Sequence, residues 1–264
     1  MVELPITADK RQIAIRRQFA LRLVHLQKAR HDLSIFIPQV VQDDHGTPLD
    51  IAPLHLSWIR HLDYCWARGL KCGVLSHFGS GKSSSLAVPA VAWALGRNAG
   101  LRVKIITNDD ANAVRRVSGV AQIITSPAYR AIFPNTLPGK KWSNHELFVQ
   151  RQGHAIDPSV QGRGVLTTGI GGRADLIVFD DVVDQRNSFD PAQRRKVAHV
   201  IDGTWLSRLE PDANVLYVAT LWHLDDATHH LMQRKGWCFL KQYVDDTCAH
   251  INQEVYGAGD DYPV

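Results

Sequence analysis

Residues 72–84 read C-G-V-L-S-H-F-G-S-G-K-S-S, a short apolar run that leads into Gly81, Lys82 and Ser83. This order is typical of a buried strand followed by a phosphate-binding loop and a helix, with the pattern G-x-x-x-x-G-K-[ST]. Ser76 stands where the pattern has its first glycine. The loop can still surround a phosphate, because the donors are backbone N–H groups. An ordinary loop before a helix is the alternative, and the preceding apolar strand makes it less favourable.

The loop predicts specific contacts with a nucleoside triphosphate. Lys82 would neutralise the β- and γ-phosphates, and the Ser83 hydroxyl would bind Mg²⁺. The residues expected to hold the nucleotide are His77, Phe78, Gly79, Ser80, Gly81, Lys82, Ser83 and Ser84.

A second apolar run carries the expected metal and catalytic carboxylates. Residues 174–181 read A-D-L-I-V-F-D-D, and a fully apolar centre is typical of a central parallel strand. We expect Asp180 to hold Mg²⁺ through water and Asp181 to orient the attacking water. Asp184 is a weaker candidate for this base. The alternative is that Asp180 and Asp181 only end a strand and cap the next element.

Arg163 and Arg173 lie in a glycine-rich segment just before this carboxylate strand. A mobile segment bearing arginine can bring a positive charge to the γ-phosphate. Either arginine is therefore a candidate, and an ion pair between Arg173 and Asp175 is the alternative.

Two further segments are candidates for nucleotide contacts. Thr220 follows the predicted strand 215–219, and a polar residue at that end of a central strand faces the cleft in open α/β sheets. Thr220 would then sense the γ-phosphate. Residues 53–58 could contact the adenine base, although a plain helix start explains them equally well.

The composition limits the class of protein. The chain has 264 residues, 45% of them hydrophobic, which is enough for one sizeable core or for one domain with an appendage. Its net charge of +4 suits contact with a polyanion. The four cysteines lack the paired spacing of a zinc site, so we expect free thiols in a reducing compartment. The sequence contains no stretch typical of a signal peptide or a membrane span.

Hydrophobic periodicity predicts an α/β fold with a mainly parallel central sheet covered on both faces by helices. Residues 10–30 carry seven Lys/Arg and no acid, and they predict a basic amphipathic helix that either contacts nucleic acid or a partner, or docks on the protein. Residues 126–162 are expected to be irregular. The predicted strands are 73–76, 103–107, 165–168, 176–179, 215–219 and 237–244, and the predicted helices are 54–66, 83–95, 109–124 and 225–234.

Six motifs in a fixed order resemble those of one family. They are A-P-L-H-L-S-W at Ala52, H-F-G-S-G-K-S at His77, I-T-S-P-A-Y-R-A-I-F-P at Ile124, G-G-R-A-D-L-I-V-F-D-D at Gly171, R-L-E-P at Arg208 and A-T-L-W-H-L-D-D at Ala219. The chain resembles, over residues 35–245, the large terminase subunit of tailed bacteriophages, in the branch whose carboxylate motif is D-D. Each motif is weak alone, but their order is specific.

The resemblance implies a RecA-like (ASCE) P-loop NTPase that uses ATP and Mg²⁺ to move double-stranded DNA into a procapsid. It implies a homo-oligomeric ring when active, with portal protein, procapsid and small terminase subunit as partners, no membrane association, and the host cell cytoplasm as location. The matching residues are Lys82 and Ser83 in the loop, Asp180 for the metal, Asp181 for catalysis, Thr220 for coupling, and Arg173, then Arg163, as the trans-acting arginine.

The resemblance also predicts the domain organisation. We expect an N-terminal helical extension over residues 1–50, the ATPase domain over 51–250, and over 251–264 the start of a linker to a nuclease domain that is absent from this chain. We therefore expect no nuclease activity from that domain. Leu221 departs from the family, because many members have arginine at this position.

Three other functions fit parts of the pattern. The first is another P-loop nucleic-acid motor, such as a helicase. The second is a Mg²⁺-dependent nuclease that uses the aspartate pairs at 109–110, 180–181, 225–226 and 245–246. The third is a nucleotide-dependent binding module without turnover.

Overall fold

The computed structural model describes residues 6–43, 45–152, 156–167, 171–244 and 251–263. The helices are α1 (Ile6–Ala29), α2 (Leu33–Val40), α3 (Pro53–Ala67), α4 (Val88–Arg97), α5 (Asp110–Thr125), α6 (Pro127–Ile132), α7 (Gln185–Ser188), α8 (Pro191–Val200) and α9 (Ala227–Met232). The strands are β1 (Lys71–Leu75), β2 (Val103–Thr107), β3 (Pro138–Trp142), β4 (Glu146–Val149), β5 (Val160–Gly164), β6 (Ala174–Asp180), β7 (Leu209–Ala219), β8 (Trp237–Val244) and β9 (Ile251–Tyr256).

All nine of these strands form one sheet in the order β3-β4-β5-β2-β6-β7-β1-β8-β9. The central strands from β5 to β8 are parallel, and the edge strands β3, β4 and β9 are antiparallel. The prediction of an α/β fold with a mainly parallel sheet is confirmed. Because β1, β6 and β7 are neighbours, the residues that follow them meet at one edge of the sheet.

Two hydrophobic cores cover the two faces of the sheet. Val74 and Ile105 belong to one core, whereas the next residues, Leu75 and Ile106, belong to the other. Successive side chains of a strand point to opposite faces, so each strand contributes to both cores. This explains why the central strands are apolar throughout rather than alternating.

Several predicted elements are confirmed and others are wrong. The strands at 103–107 and 237–244 match β2 and β8. The strand expected at 165–168 lies earlier, at β5, and the stretch expected to be irregular contains α6, β3 and β4. β3 reads P-G-K-K-W and buries none of its residues, so an edge strand of this kind has no apolar pattern to detect. Residue 168 lies outside the described residues.

The helix expected at 83–95 forms in two parts. A π-helical turn covers Ser83–Ala87, and α4 follows it, with Pro89 in its first turn. Proline is tolerated there because the first turn of a helix has no partner for that N–H. The backbone stays helical from the π-helical turn into α4, and the change in hydrogen-bond pattern comes just before Pro89.

The two ends of the chain differ in how they pack. Residues 12–25 of α1 are exposed, including Phe19 and Leu21, and the helix reaches the core only near Ala29. At the other end, β9 extends the sheet beside β8, and the Tyr262 hydroxyl lies 2.9 Å from Nδ1 of His61. Part of the segment expected to begin a linker thus belongs to the sheet, and the domain boundaries themselves stay a prediction.

None of the helices in the described ranges combines the length and the apolar character needed to cross a membrane.

Candidate nucleotide-binding site

The loop between β1 and the π-helical turn has the backbone of a phosphate cradle. Gly79 and Gly81 have φ values of +78° and +81°, in the left-handed region that favours glycine. The Ser80 hydroxyl donates a hydrogen bond to the His77 carbonyl at 2.8 Å, which closes the loop. From outside, Nε2 of His55 lies 3.4 Å from the Ser80 carbonyl oxygen. The glycines and these bonds set the loop's shape.

Lys82 is buried across the centre of this loop. Its Nζ donates to the carbonyl oxygens of Ser76 at 3.0 Å and His77 at 2.8 Å, and to the Thr220 hydroxyl at 3.0 Å. Burial lowers the pKa of Lys82, whereas the charges of Asp181 and Asp180 act to raise it. The structure therefore brings together the loop lysine and Thr220, although they lie far apart in the sequence.

Ser83 and Asp180 meet beside the lysine. The Ser83 hydroxyl donates to Oδ1 of Asp180 at 2.8 Å, and the Asp180 side chain is fully buried. A hydroxyl and a carboxylate are the hard oxygen donors that Mg²⁺ prefers. These two predicted metal ligands fit a magnesium ion by their chemistry and by their contact.

Asp181 adopts a backbone conformation that is unusual outside glycine. Its φ is +48°, a region that aspartate tolerates better than most residues. The Thr220 N–H donates to its Oδ1 at 3.0 Å. Burial and the charge of Asp180 raise the pKa of Asp181 above its ordinary value, and Lys82 opposes this shift. A carboxylate with a raised pKa is suited to accept a proton from water.

Asp184, the weaker candidate for the base, has a structural role. Its carboxylate accepts hydrogen bonds from the Asn187 N–H at 3.1 Å, from Asn108 at 2.8 Å and from Arg186 at 2.8 Å. It caps α7 at its N-terminus. Burial acts to raise its pKa, but the bonds from Asn108 and Arg186 hold this pKa below the ordinary value. Both properties favour Asp181 over Asp184 as the base.

A cleft of about 740 Å³ opens in front of the loop, a size typical of small-molecule sites. One wall is the loop, and the other is formed by α5 and by residues 40–43, whereas residues 53–58 do not line it. Residues 40–43 are thus a wall of the cleft that the sequence did not indicate, and the contact of residues 53–58 with an adenine base stays a prediction. The cleft is lined by Val40, Val41, Gln42, Asp43, Phe78, Gly79, Gly81, Lys82, Ser83, Ser84, Val88, Arg115, Arg116, Gly119, Gln122, Ile123, Ser126 and Asp181.

The two predicted arginines lie in different environments. Arg163 is in β5 and forms an ion pair with Glu146 at 3.0 Å, and β2 separates its strand from β6. Arg173 is exposed just before β6. Asp175, the partner considered for Arg173, is bound instead by Arg102 at 2.8 Å. The structure therefore leaves Arg173 the better placed of the two to face another molecule.

A third arginine, missed by the sequence reasoning, enters the site itself. Arg116 extends from α5 and forms an ion pair with Oδ2 of Asp180. No motif surrounds Arg116, because α5 is an ordinary amphipathic helix. The only sequence signal is the pair of arginines at 115 and 116, and this pair does not indicate which strand they reach.

A buried cluster of His61, Cys65 and Cys72 has the composition of a metal site. Both ring nitrogens of His61 are already used, because Nε2 lies 3.0 Å from the Gly73 carbonyl and Nδ1 lies 2.9 Å from the Tyr262 hydroxyl. The carbonyl can only accept, so Nε2 carries the proton. The histidine has no lone pair left for a metal, and the cluster packs as part of the core. Cys248 lies outside the described residues.

Neither a protein-family model nor a curated protein sequence matches this chain.

Proposed function

We propose that this chain is the ATPase motor domain of a bacteriophage large terminase subunit, which hydrolyses ATP with Mg²⁺ to move double-stranded DNA into a procapsid. The observation that carries the ATPase part is one constellation. Lys82, Ser83, Asp180, Asp181 and Thr220 are joined by hydrogen bonds at the carboxyl ends of the neighbouring strands β1, β6 and β7. Phosphoryl transfer needs charge neutralisation, a metal site and an oriented water in one place.

Each residue contributes a separate step to the proposed hydrolysis. The loop N–H groups hold the phosphates, and Lys82 leaves the loop carbonyls to bind phosphate oxygens, which carry more negative charge. Mg²⁺ held by Ser83 and Asp180 would neutralise charge that grows on the phosphates. Asp181 orients the attacking water and accepts its proton. Thr220 contacts both Lys82 and Asp181, so it can couple the state of the nucleotide to β7.

The DNA-packaging part of the proposal rests on the resemblance of the six ordered motifs. The order of the sheet is compatible with the RecA-like fold that this resemblance implies. The positive net charge and the exposed basic helix α1 suit a polyanionic partner. Under this proposal the active form is a ring of subunits on the portal protein of a procapsid, together with the small terminase subunit, in the host cytoplasm.

The aspartate-pair nuclease is the less favoured alternative. A two-metal site needs several convergent carboxylates, and in the described ranges the one group of three close metal-ligating side chains is the cysteine–histidine cluster. Asp109 is bound by Arg186, and Asp225 by Arg194. Residues 245–246 lie outside these ranges. A helicase-like motor would use the same nucleotide site, so the DNA substrate must separate it from a packaging motor.

The test is steady-state ATP hydrolysis with and without duplex DNA, at several protein concentrations. We expect Mg²⁺-dependent turnover in the wild type and none in Lys82→Ala, whose amine is removed from the reacting phosphates. The matched control is Lys235→Ala, because Lys235 is exposed and precedes β8. It therefore lies at the amino ends of the parallel strands, whereas the site lies at their carboxyl ends. Circular dichroism establishes that each variant is folded. Wild-type turnover in folded Lys82→Ala would refute the site, and strand separation of duplex DNA would favour the helicase.

A further inference from the structure

Arg116 forms an ion pair with the carboxylate oxygen of Asp180 that Ser83 does not contact. Ser83 donates to Oδ1 and Arg116 contacts Oδ2. The Asp180 side chain is fully buried, whereas that of Arg116 is 23% exposed. A buried carboxylate requires a cationic partner, and Arg116 provides this partner.

The same arginine lines the cleft beside Lys82, Ser83 and Asp181. Its helix is held in place on both sides, because Val117 packs in the core and Asp109 caps the N-terminus. The guanidinium offers five N–H donors, and among the described residues only its Nε–H group is bonded, to Asp180. α5 thus presents to the cleft a cation whose other N–H groups bond to none of the described residues.

We propose that Arg116 exchanges Asp180 for the terminal phosphate of a bound nucleoside triphosphate, and so distinguishes the triphosphate from the diphosphate. This inference rests on the proposed function and identifies an arginine that acts within its own subunit. A divalent cation at Ser83 and Asp180 would supply the positive charge that Arg116 now supplies to Asp180. Arg116 then no longer has to neutralise the carboxylate, and its fork suits two phosphate oxygens.

Arg116 and Asp181 share the cleft with Lys82 and Ser83. Asp181 is the proposed base for attack on the γ-phosphate, so Arg116 lies in the same cleft as the group that would act on this phosphate. On this proposal the guanidinium binds the γ-phosphate, which a diphosphate lacks, and a diphosphate would leave Arg116 with Asp180.

The inference can be tested by the equilibrium binding of nucleotides, without hydrolysis. Isothermal titration calorimetry would give the Kd of the non-hydrolysable ATP analogue AMP-PNP and of ADP, each with Mg²⁺. We expect Arg116→Ala to weaken AMP-PNP binding about 10- to 100-fold, as for loss of a charge-assisted hydrogen bond, and to weaken ADP binding less than about threefold. The matched control is Arg195→Ala, because Arg195 is an exposed arginine on α8 and does not line this cleft.

The outcomes separate this inference from the proposed function. If wild type binds neither nucleotide, the proposed function fails. A second outcome is that the wild type binds both nucleotides and Lys82→Ala binds both more weakly, while Arg116→Ala leaves the ratio of the two Kd values unchanged. In that case only the inference is overturned. A purely structural ion pair would lower the melting temperature without changing this ratio.

A second variant covers the case in which Arg116→Ala does not fold. Arg116→Lys keeps a charge beside Asp180 but lacks the two-pronged geometry for a phosphate. The preference for the triphosphate is the Kd for ADP divided by the Kd for AMP-PNP. A decrease of at least about threefold in this preference, with a normal melting temperature, supports the exchange. An unchanged ratio in this variant overturns it.

Discussion

The substitution Asp181→Asn should separate nucleotide binding from hydrolysis. Asparagine has nearly the same shape as aspartate, tolerates the φ of +48°, and can still accept the hydrogen bond from the Thr220 N–H through its side-chain oxygen. It cannot accept a proton from the attacking water. We therefore expect the loop and the strand end to keep their geometry while the chemical step is lost.

The expected magnitude is that of losing a general base, a decrease of about 10²- to 10⁴-fold in kcat. The Kd for Mg²⁺·AMP-PNP should change by less than about threefold, because the lysine and the metal ligands remain. The matched control is Asp184→Asn, which should retain most of the turnover, because Asp184 serves as a helix cap and asparagine also caps helices. Single-turnover hydrolysis would isolate the chemical step from product release.

The same variant makes a prediction about stability. The pKa of Asp181 is raised above 3.8 by burial and by Asp180, so the folded protein binds this proton more tightly than the unfolded chain does. The stability gained from that proton is present at low pH and is lost as the pH rises through the raised pKa. At neutral pH, Asp181→Asn should therefore melt at a higher temperature than the wild type, and the difference should shrink in acid.

Two results would refute this reasoning. Turnover of Asp181→Asn within about threefold of the wild type would remove Asp181 from the chemistry. An equal loss of turnover in Asp184→Asn would show that the defect comes from a disturbed connection between β6 and α7, rather than from the loss of a base. A rise of wild-type kcat through the raised pKa of Asp181, absent from the residual rate of Asp181→Asn, would support the assignment.

Two further predictions concern the metal and the outer arginine. Asp180→Asn should raise the Mg²⁺ concentration needed for half-maximal AMP-PNP binding, because it removes the charge beside Ser83; an unchanged Mg²⁺ titration would exclude Asp180 as a ligand. Mixtures of Arg173→Ala and Lys82→Ala subunits should recover part of the hydrolysis that each lacks alone, since an arginine given by a neighbour is worth about 10³–10⁵ in rate. In the same assay Arg163→Ala should keep its activity, because Arg163 is paired with Glu146. Arg173 would be excluded from acting in trans if the mixed subunits recovered no hydrolysis and the specific activity of the wild type did not depend on protein concentration.

The sequence determined the features that depend on short stretches of chain. Gly79, Gly81 and Lys82 are placed by neighbouring residues, because a tight loop between a strand and a helix requires glycine at left-handed positions. The apolar run before Asp180 identified a central strand, since strands covered on both faces contain few polar residues. The α/β class and the ends of β2 and β8 followed from such local patterns.

Only the tertiary structure decided which distant residues meet. Arg116 reaches Asp180 because α5 packs on β2 and β5, and β2 pairs with β6. The wall formed by residues 40–43 stands opposite the loop because α2 packs beside α4. Likewise, Glu146 neutralises Arg163, and Arg186 with Asn108 holds Asp184 as a cap. A charged side chain is read from the sequence as a single residue, but its role is set by the partner that neutralises it. That partner is chosen by the packing of the whole sheet and its helices.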